Sequence, residues 1–437
     1  TKTDFEDEIL KNACLFSFAC DTLERELEAT GQKKLLDEIE IPLARVLGSM
    51  ELCGFLADSE GLGALSEELG ARIKVIEREI YDLVGYEFNL NSPKQLGTAL
   101  FEKLGLPAKK KTKSGYSTGA EVLESLRYAH PAVSLLLSYR QLAKLKSTYA
   151  DGLRDCVASD GRIHSTFNQT EARTGRISSS EPNLQNIPVR TEEGKRLREY
   201  FTAPDGKVLC DADYSQIELR VLASIANDEN MINAFKSGTD IHTATAAQVF
   251  GMPEDMVTPE LRSRAKAVNF GIVYGIGAFS LSKDIGVSRA EADRYIKNYL
   301  ATYKGVAAYM ENTIEQAKRD GYVTTYYGRR RYLPELSNSN GNLRAFGERV
   351  ARNAPIQGTA ADIIKIAMIR VYERLKRELP NARLILQVHD ELIVECDEKD
   401  AKAACAVLTE EMENAASLAV RLTAEAHYGK TWLEAKG

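Results

Sequence analysis

The chain has 437 residues, a formal net charge of −6, 44% hydrophobic and 27% charged residues. That length exceeds what one hydrophobic core usually serves and predicts about two to four subdomains. No apolar run reaches membrane-spanning length and no signal-peptide pattern opens the chain, which excludes a helical membrane protein.

Residues 1–40 are rich in Asp, Glu and Leu and read as helical, with Pro42 expected to interrupt them. Helical periodicity resumes in IPLARVLGSMELCGFLAD and in LSEELGARIKVIEREIYDLVG, and Asn91-Ser92-Pro93 reads as a loop entering a helix at KQLGTALFEKLG. KKKTKSGYSTG (109–119) reads as a basic loop, and LAKLKSTYADGL is a second basic element; solvated charge is the plain interpretation of both. From Gly161 the sequence turns polar, rich in Arg, Asn, Gln and Ser, without helical period. KVLCDADYSQIELRVLASIA then reads as a short strand passing into a helix. Residues 240–335 read as mostly helical with Gly interruptions, and 350–378 as one or two helices. RLILQVHDELIVEC reads as two apolar strands around an acidic turn, followed by a further helix and a tail.

The seven cysteines (Cys14, Cys20, Cys53, Cys156, Cys210, Cys396 and Cys405) are odd in number and form no CxxC pair, so reduced cytoplasmic thiols without a zinc site are expected. The negative net charge by itself disfavours a nucleic-acid partner, but a sum hides distribution, and one basic cleft would suffice.

Two carboxylates stand out by context. Asp213 ends an apolar strand and Asp390 lies in the turn between two more. A carboxylate beside a buried sheet is costly unless it is hydrogen-bonded or meets a cation. Oxygen ligands suit Mg²⁺, and two such carboxylates suit paired metals in phosphoryl transfer. Polar turn chemistry explains HDE equally well in isolation. In RSRAKAVNFGIVYG, Arg262, Lys266, Phe270 and Tyr274 recur at four-residue steps, so one helix face carries cations and then aromatics. Such a face can bind a nucleoside triphosphate; alternatively, the rings pack in the core and the cations are solvated. Gly271, Gly275 and Gly277 weaken the far end and allow a bend.

Taken together and in order, these segments resemble the motifs of the family A DNA polymerases. DYSQIELR (213–220) is similar to motif A, RSRAKAVNFGIVYG (262–275) to motif B, and QVHDE (387–391) to motif C. TGRISSSEPNLQNIP (174–188), DIHTATA (240–246) and RNAPIQGTAADIIK (352–365) match further, and the resemblance runs from about Ile41 onward. It implies an α+β, right-hand fold with an antiparallel-sheet palm, helical fingers and a helical thumb. It implies Mg²⁺ as cofactor, two ions with Mn²⁺ able to substitute, held by Asp213, Asp390 and the Tyr214 carbonyl, with Glu391 in support. Lys266 would be the catalytic cation. Arg262, Lys266, Phe270, Tyr274, His242, Glu218 and Gln216 would bind the dNTP, Glu218 by excluding a 2′-hydroxyl. Arg176, Arg349, Asn353, Gln357, Gln185 and His389 would contact primer-template DNA. Relatives with Tyr in place of Phe270 take dideoxynucleotides more readily, so Phe270 implies discrimination against them. Closing of the 262–275 helix over a correct nucleotide is the expected conformational step.

The implied organisation is a spacer over 1–40, thumb over 41–155, palm over 156–222 and 343–437, and fingers over 223–342. Residues 1–40 are read as the remnant of a 3′→5′ exonuclease domain. Asp4-Phe5-Glu6 has a DxE spelling but no apolar strand leads into it, and Asp21 resembles that domain's end; no proofreading is expected. Thr1 in first place suggests a fragment or processed chain. A monomeric cytoplasmic, nucleoid-associated bacterial enzyme of replication and repair is expected, with no membrane partner. Two alternatives stay open, a single-subunit RNA polymerase-like nucleotidyltransferase and a catalytically inactive DNA-binding module.

Overall fold

The computed structural model describes residues 2–108, 111–112, 115–188 and 192–437; the side chains of residues 2–9, 14, 17, 18, 111 and 112 lie outside that description, and with them the Asp4-Phe5-Glu6 carboxylates. The chain forms two compact units: residues 1–52, 167–179 and 210–428, and residues 53–166, 180–209 and 429–437. No described helix is long and apolar enough to cross a membrane.

The first unit is organised by strand β1 (Lys207–Tyr214), helices α1 (Ile217–Ile225), α2 (Ile241–Phe250) and α3 (Pro259–Val273), hairpin strands β2 (Tyr322–Thr324) and β3 (Arg330–Tyr332), helix α4 (Gly341–Glu378), and strands β4 (Arg383–Val388), β5 (Glu391–Asp397) and β6 (Ala424–Gly429). The main sheet has the order β4-β5-β1-β6. β4 and β5 pair antiparallel, Val388 opposite Glu391 and Leu384 opposite Val394. β1, β4 and β5 are buried along nearly their whole length, without inside–outside alternation, as strands covered on both faces must be. α4 packs on β4 and sends Ile356, Ile363, Met368 and Val371 into the core. It runs unbroken through Pro355, which has no N–H to offer the Ala351 carbonyl.

Charge is also buried here. Arg329, in the β2–β3 turn, donates from Nε and Nη2 to Asp362 Oδ1 at 2.8 and 2.6 Å and pairs with Glu40 through Nη2. Glu40 in turn accepts from Lys365 Nζ and Gln169 Nε2, each at 2.8 Å. Thr325 Oγ1 donates to the second Asp362 oxygen at 2.7 Å. Asp362 and Lys365 are both fully buried on α4. Two acids and two bases thus satisfy one another, which is the condition for keeping charges out of water.

Three elements depart from the sequence expectation. Pro42 does not interrupt the helical chain. Lys33–Leu35, the π-helical Leu36–Glu40 and Ile41–Cys53 follow one another directly, and the break falls at Gly31, with φ 70°. In the wide π turn the Ile41 N–H bonds to the Leu36 carbonyl, five residues back, and a proline in the following first turn loses nothing. The β2–β3 hairpin lies in a stretch read as helical; strands of three residues show no period. β6 lies in the region read as a tail, and as an edge strand it is only partly buried.

The second unit is helical. Its Ser59–Val84 helix begins at Asp58, which accepts from the Gly61 N–H, and ends at Gly85, with φ 91°. This helix packs on Pro131–Lys144, and Ile80, Val84, Leu96, Leu100, Leu123 and Leu136 share one core. A second cluster joins distant segments through rings: Phe55 and Phe201 are 5.0 Å apart and Phe201 and Trp432 5.6 Å. Of the lysines in the two basic elements, Lys109, Lys110 and Lys113 lie outside the described residues. Lys144 is exposed, whereas Lys146 pairs with Asp151 at 2.7 Å and Ser66 at 2.9 Å, so it braces the helix instead.

Candidate active site

Asp213 is the penultimate residue of β1, and Asp390 is the second residue of the two-residue turn joining β4 to β5. Because β5 lies beside β1, the two aspartates meet, and the Tyr214 N–H donates to the Asp390 carbonyl at 3.1 Å. Both side chains are half-buried, while Asp211 and Glu391 are buried. The turn places His389 at φ 51°, exposed, with its carbonyl held by Gln387 Nε2 at 2.5 Å. Tyr214 anchors the strand end by donating its hydroxyl to the Met412 carbonyl at 2.7 Å. After Ser215 the chain turns sharply at Gln216, with φ 48°, into α1.

Glu218, in the first turn of α1, is 4% exposed and accepts from Arg176 Nη2 at 2.6 Å. Burial pushes its carboxyl up from the usual range, against the pull of Arg176 and Tyr274. The Tyr274 phenol is pushed up as well, by burial first, then by Glu218, with a smaller push from Asp390. Tyr274 therefore meets Glu218 from the end of α3.

On α3, Arg262 and Lys266 are exposed, Phe270 is half-exposed and Tyr274 is 43% exposed, whereas Ala265, Val268, Asn269 and Ile272 are buried. The four-residue face thus points outward, and the core-packing alternative for its rings does not hold. Phe270 and Tyr274 stack at 6.3 Å with 18° between planes. The inner face is locked by polar contacts. Asn269 Nδ2 lies 3.0 Å from His242 Nδ1, and Thr245 bonds Asn269 and the Tyr303 hydroxyl at 3.2 and 3.1 Å. His242 is 1% exposed, and burial drops its pKa to about 4, so it is neutral near pH 7. Its ring backs Phe270 at 5.8 Å. Arg262 forms a two-pronged pair with Asp240, at 2.9 and 2.8 Å. Burial opposes the Asp240 charge, but Arg262 and the Thr243 N–H override it and hold its pKa at about 2. Asp240, Asn269 and Thr245 went unassigned in the sequence; the one local signal was Asp240 as an N-cap before an apolar helix.

α3 ends in a Schellman turn. Ile276 N–H bonds to the Gly271 carbonyl at 2.7 Å and Gly275 N–H to Ile272 at 3.0 Å, with Gly275 at φ 66°. A Cβ at Gly271 would lie 2.4 Å from Ile276 Cγ2, so any side chain there would have to displace Ile276. The Arg349 side chain covers Gly275, and Arg349, Asn353 and Gln357 follow one another along α4 at four-residue steps. Arg349 is exposed, Asn353 and Gln357 are half-buried, and Asn353 Oδ1 has no hydrogen-bond partner. Gln185 belongs to the second unit, in the Leu184–Asn186 turn. The other predicted site residues all lie in the first unit.

Among the described residues no three His, Cys, Asp or Glu side chains cluster as metal ligands. Asp213 and Asp390 nonetheless suit a hard cation. They are oxygen donors at adjoining strand ends, half-exposed, and substrate, main-chain and water oxygens could complete a shell.

The description DNA polymerase family A matches residues 59–434. The chain is 52% identical over 414 residues to DNA polymerase I of Geobacillus stearothermophilus, covering 94% of this chain and 47% of that one. It is 50% identical over 418 residues to DNA polymerase I of Bacillus subtilis (strain 168), covering 95% and 48%. The chain thus spans about half the length of the curated relatives it matches. Among solved structures, the POL domain of Pol1 from M. smegmatis in complex with DNA primer-template and dNTP matches with a TM-score of 0.93 at 45% identity, over 97% of this chain and 75% of that one. With the motifs seated on this sheet and these helices, the chain belongs to DNA polymerase family A and has that family's α+β polymerase fold.

Proposed function

We propose that the chain is a template-directed DNA polymerase that adds deoxynucleoside monophosphates to a primer 3′-hydroxyl and releases pyrophosphate. The observation that carries this reading is the meeting of Asp213 and Asp390 at adjoining strand ends, in the same unit whose helix α3 turns Arg262, Lys266 and Phe270 outward and ends at Tyr274 in reach of Glu218. The 45%-identical relative bound to primer-template and dNTP supports those partners.

In the reaction, the primer oxygen bonds to the α-phosphorus as the bond from that phosphorus to the bridging oxygen breaks; the hydroxyl loses its proton and pyrophosphate departs. Asp213 and Asp390, with the Tyr214 carbonyl, would hold two Mg²⁺ ions (or Mn²⁺), which make the hydroxyl more acidic and take up charge on the phosphates. Glu391, buried beside the turn, supports their placement. Lys266 and Arg262 neutralise the triphosphate, Arg262 after exchanging or sharing Asp240, and Lys266 supplies a proton to the departing pyrophosphate. Phe270 packs on the incoming sugar and base, with neutral His242 bracing it from behind. Tyr274 stacks at the templating position. Glu218 and Gln216 border the sugar, and buried Glu218 leaves a 2′-hydroxyl neither space nor a favourable partner.

Arg176, Arg349, Asn353, Gln357, Gln185 and His389 face the primer-template. Donors in the minor groove read acceptors common to all correct pairs, which suits copying any sequence. We assign residues 41–155 to a thumb, 156–222 and 343–437 to a palm, and 223–342 to fingers, in a monomeric cytoplasmic enzyme of replication and repair. Primer extension with Mg²⁺, offering dNTPs with one omitted at a time or rNTPs alone, tests the proposal. Arrest at each omitted template position and no product from rNTPs is expected; untemplated addition or efficient rNTP use overturns it.

A further inference from the structure

Arg329 has no part in the site proposed above, yet its side chain is held by two carboxylates in the interior of the first unit. Asp362 and Glu40 grip it from two sides, and Lys365 and Gln169 hold Glu40 in turn. The Cδ and Nε atoms of Arg329 pack against Gly175. A Cβ there would sit 2.6 Å from both Cδ and Nε of Arg329, and Gly175 has φ 83°. The same turn also approaches α4, where a Cβ on Gly358 would meet the Thr174 carbonyl at 3.2 Å and Thr325 Cγ2 at 2.5 Å. The turn Thr174–Gly175–Arg176 is therefore packed against both the clamped Arg329 side chain and α4. The next side chain out of it is Arg176, whose Nη2 meets buried Glu218 at 2.6 Å.

We infer that Arg329, clamped by Glu40 and Asp362, is a positioning residue that sets Arg176 on Glu218 and thereby sharpens selection against ribonucleotides. The inference rests on the reading of Glu218 as the group that crowds the sugar 2′ position. It also gives the segment before Ile41 a part in specificity, through Glu40. A planar guanidinium can serve two carboxylates and still press its stem on Gly175; a lysine ammonium has neither the fork nor the fixed direction.

The test is the ratio of kcat/KM for dNTP over the matching rNTP, measured for the unaltered chain, Arg329→Lys, Glu40→Gln and Gly175→Ala, each alone and combined with Glu218→Ala. Thermal unfolding identifies which variants fold. Displacing Arg176 by a fraction of an ångström is expected to lower the ratio roughly tenfold in Arg329→Lys, with a smaller drop in Glu40→Gln. Gly175→Ala should move it in the same direction from the opposite side of the contact. In the Glu218→Ala background all three should have no further effect on the ratio. Glu40→Gln, nearly isosteric, keeps the inference falsifiable if Arg329→Lys fails to fold. An unchanged ratio in folded variants overturns it, and so does an equal drop with and without Glu218. Failure of the unaltered chain to extend primers with dNTPs would instead reject the polymerase reading.

Discussion

The strand-end pair Asp213 and Asp390 and the cluster of Glu40, Arg329, Asp362 and Lys365 place carboxylates of one unit in opposite settings. In the cluster, two negative and two positive groups come from different parts of the chain and satisfy one another in the interior. At the strand ends, two like charges adjoin and solvent reaches both. The difference lies in access: countercharge supplied by the chain in the interior gives rigidity, and under the function proposed above the solvent-reached strand ends would also take up cations from solution.

The sharpest way to break the comparison is to neutralise each side in turn. Asp213→Ala should cut primer extension by about four orders of magnitude while leaving duplex affinity and melting temperature nearly unchanged. An active variant would remove the strand ends from the chemistry. Asp362→Ala should do the reverse in kind, costing about 4 kcal/mol of stability by stranding Arg329, as read by denaturant unfolding. A variant as stable as the parent would show that the cluster contributes no rigidity.

His242 lies between these extremes, a titratable group kept neutral by burial. Its folded pKa of about 4 is below the unfolded value, so the unfolded chain takes up the proton first as pH falls. Its contribution is complete above about pH 6.5 and is lost on descent towards about pH 4, amounting to about 3 kcal/mol across that window. His242→Gln should flatten the stability profile between those limits; a profile identical to the parent's would refute the assignment. The smallest expected change is in selectivity. Phe270→Tyr supplies a hydroxyl in place of a missing 3′-hydroxyl, worth one hydrogen bond, and should raise relative dideoxynucleotide use about tenfold. Equal use by parent and variant would take Phe270 away from the sugar.

What could be read in the sequence was local. Asp213 and Asp390 stood out because apolar strands led into them, and Arg262, Lys266, Phe270 and Tyr274 because four-residue spacing is a helix face wherever the helix goes. The interior cluster offered no such cue: Arg329 and Glu40 are 289 positions apart, and each alone looks like surface charge. Asp240, 22 residues from Arg262, was hidden for the same reason. Lys146 looked like a free cation because its partners belong to another turn and another helix. Pro42 misled because proline breaks a helix only where its missing N–H is needed.

Were α3 to close over a nucleotide as the resemblance implies, its tied-off end would be the natural pivot, with the contacts of Asn269 to His242 and Thr245 yielding on the way. Tyr274, beside the Schellman turn, is close to the pivot, and Arg262 is about 18 Å up the axis. A ten-degree swing about that pivot would carry the guanidinium roughly 3 Å along its arc while scarcely displacing the phenol. Under the proposed function, a triphosphate would feel such a movement as arrival or departure of charge, while the Tyr274 end would register almost none, so that fit is sensed at the still end and reported at the moving one.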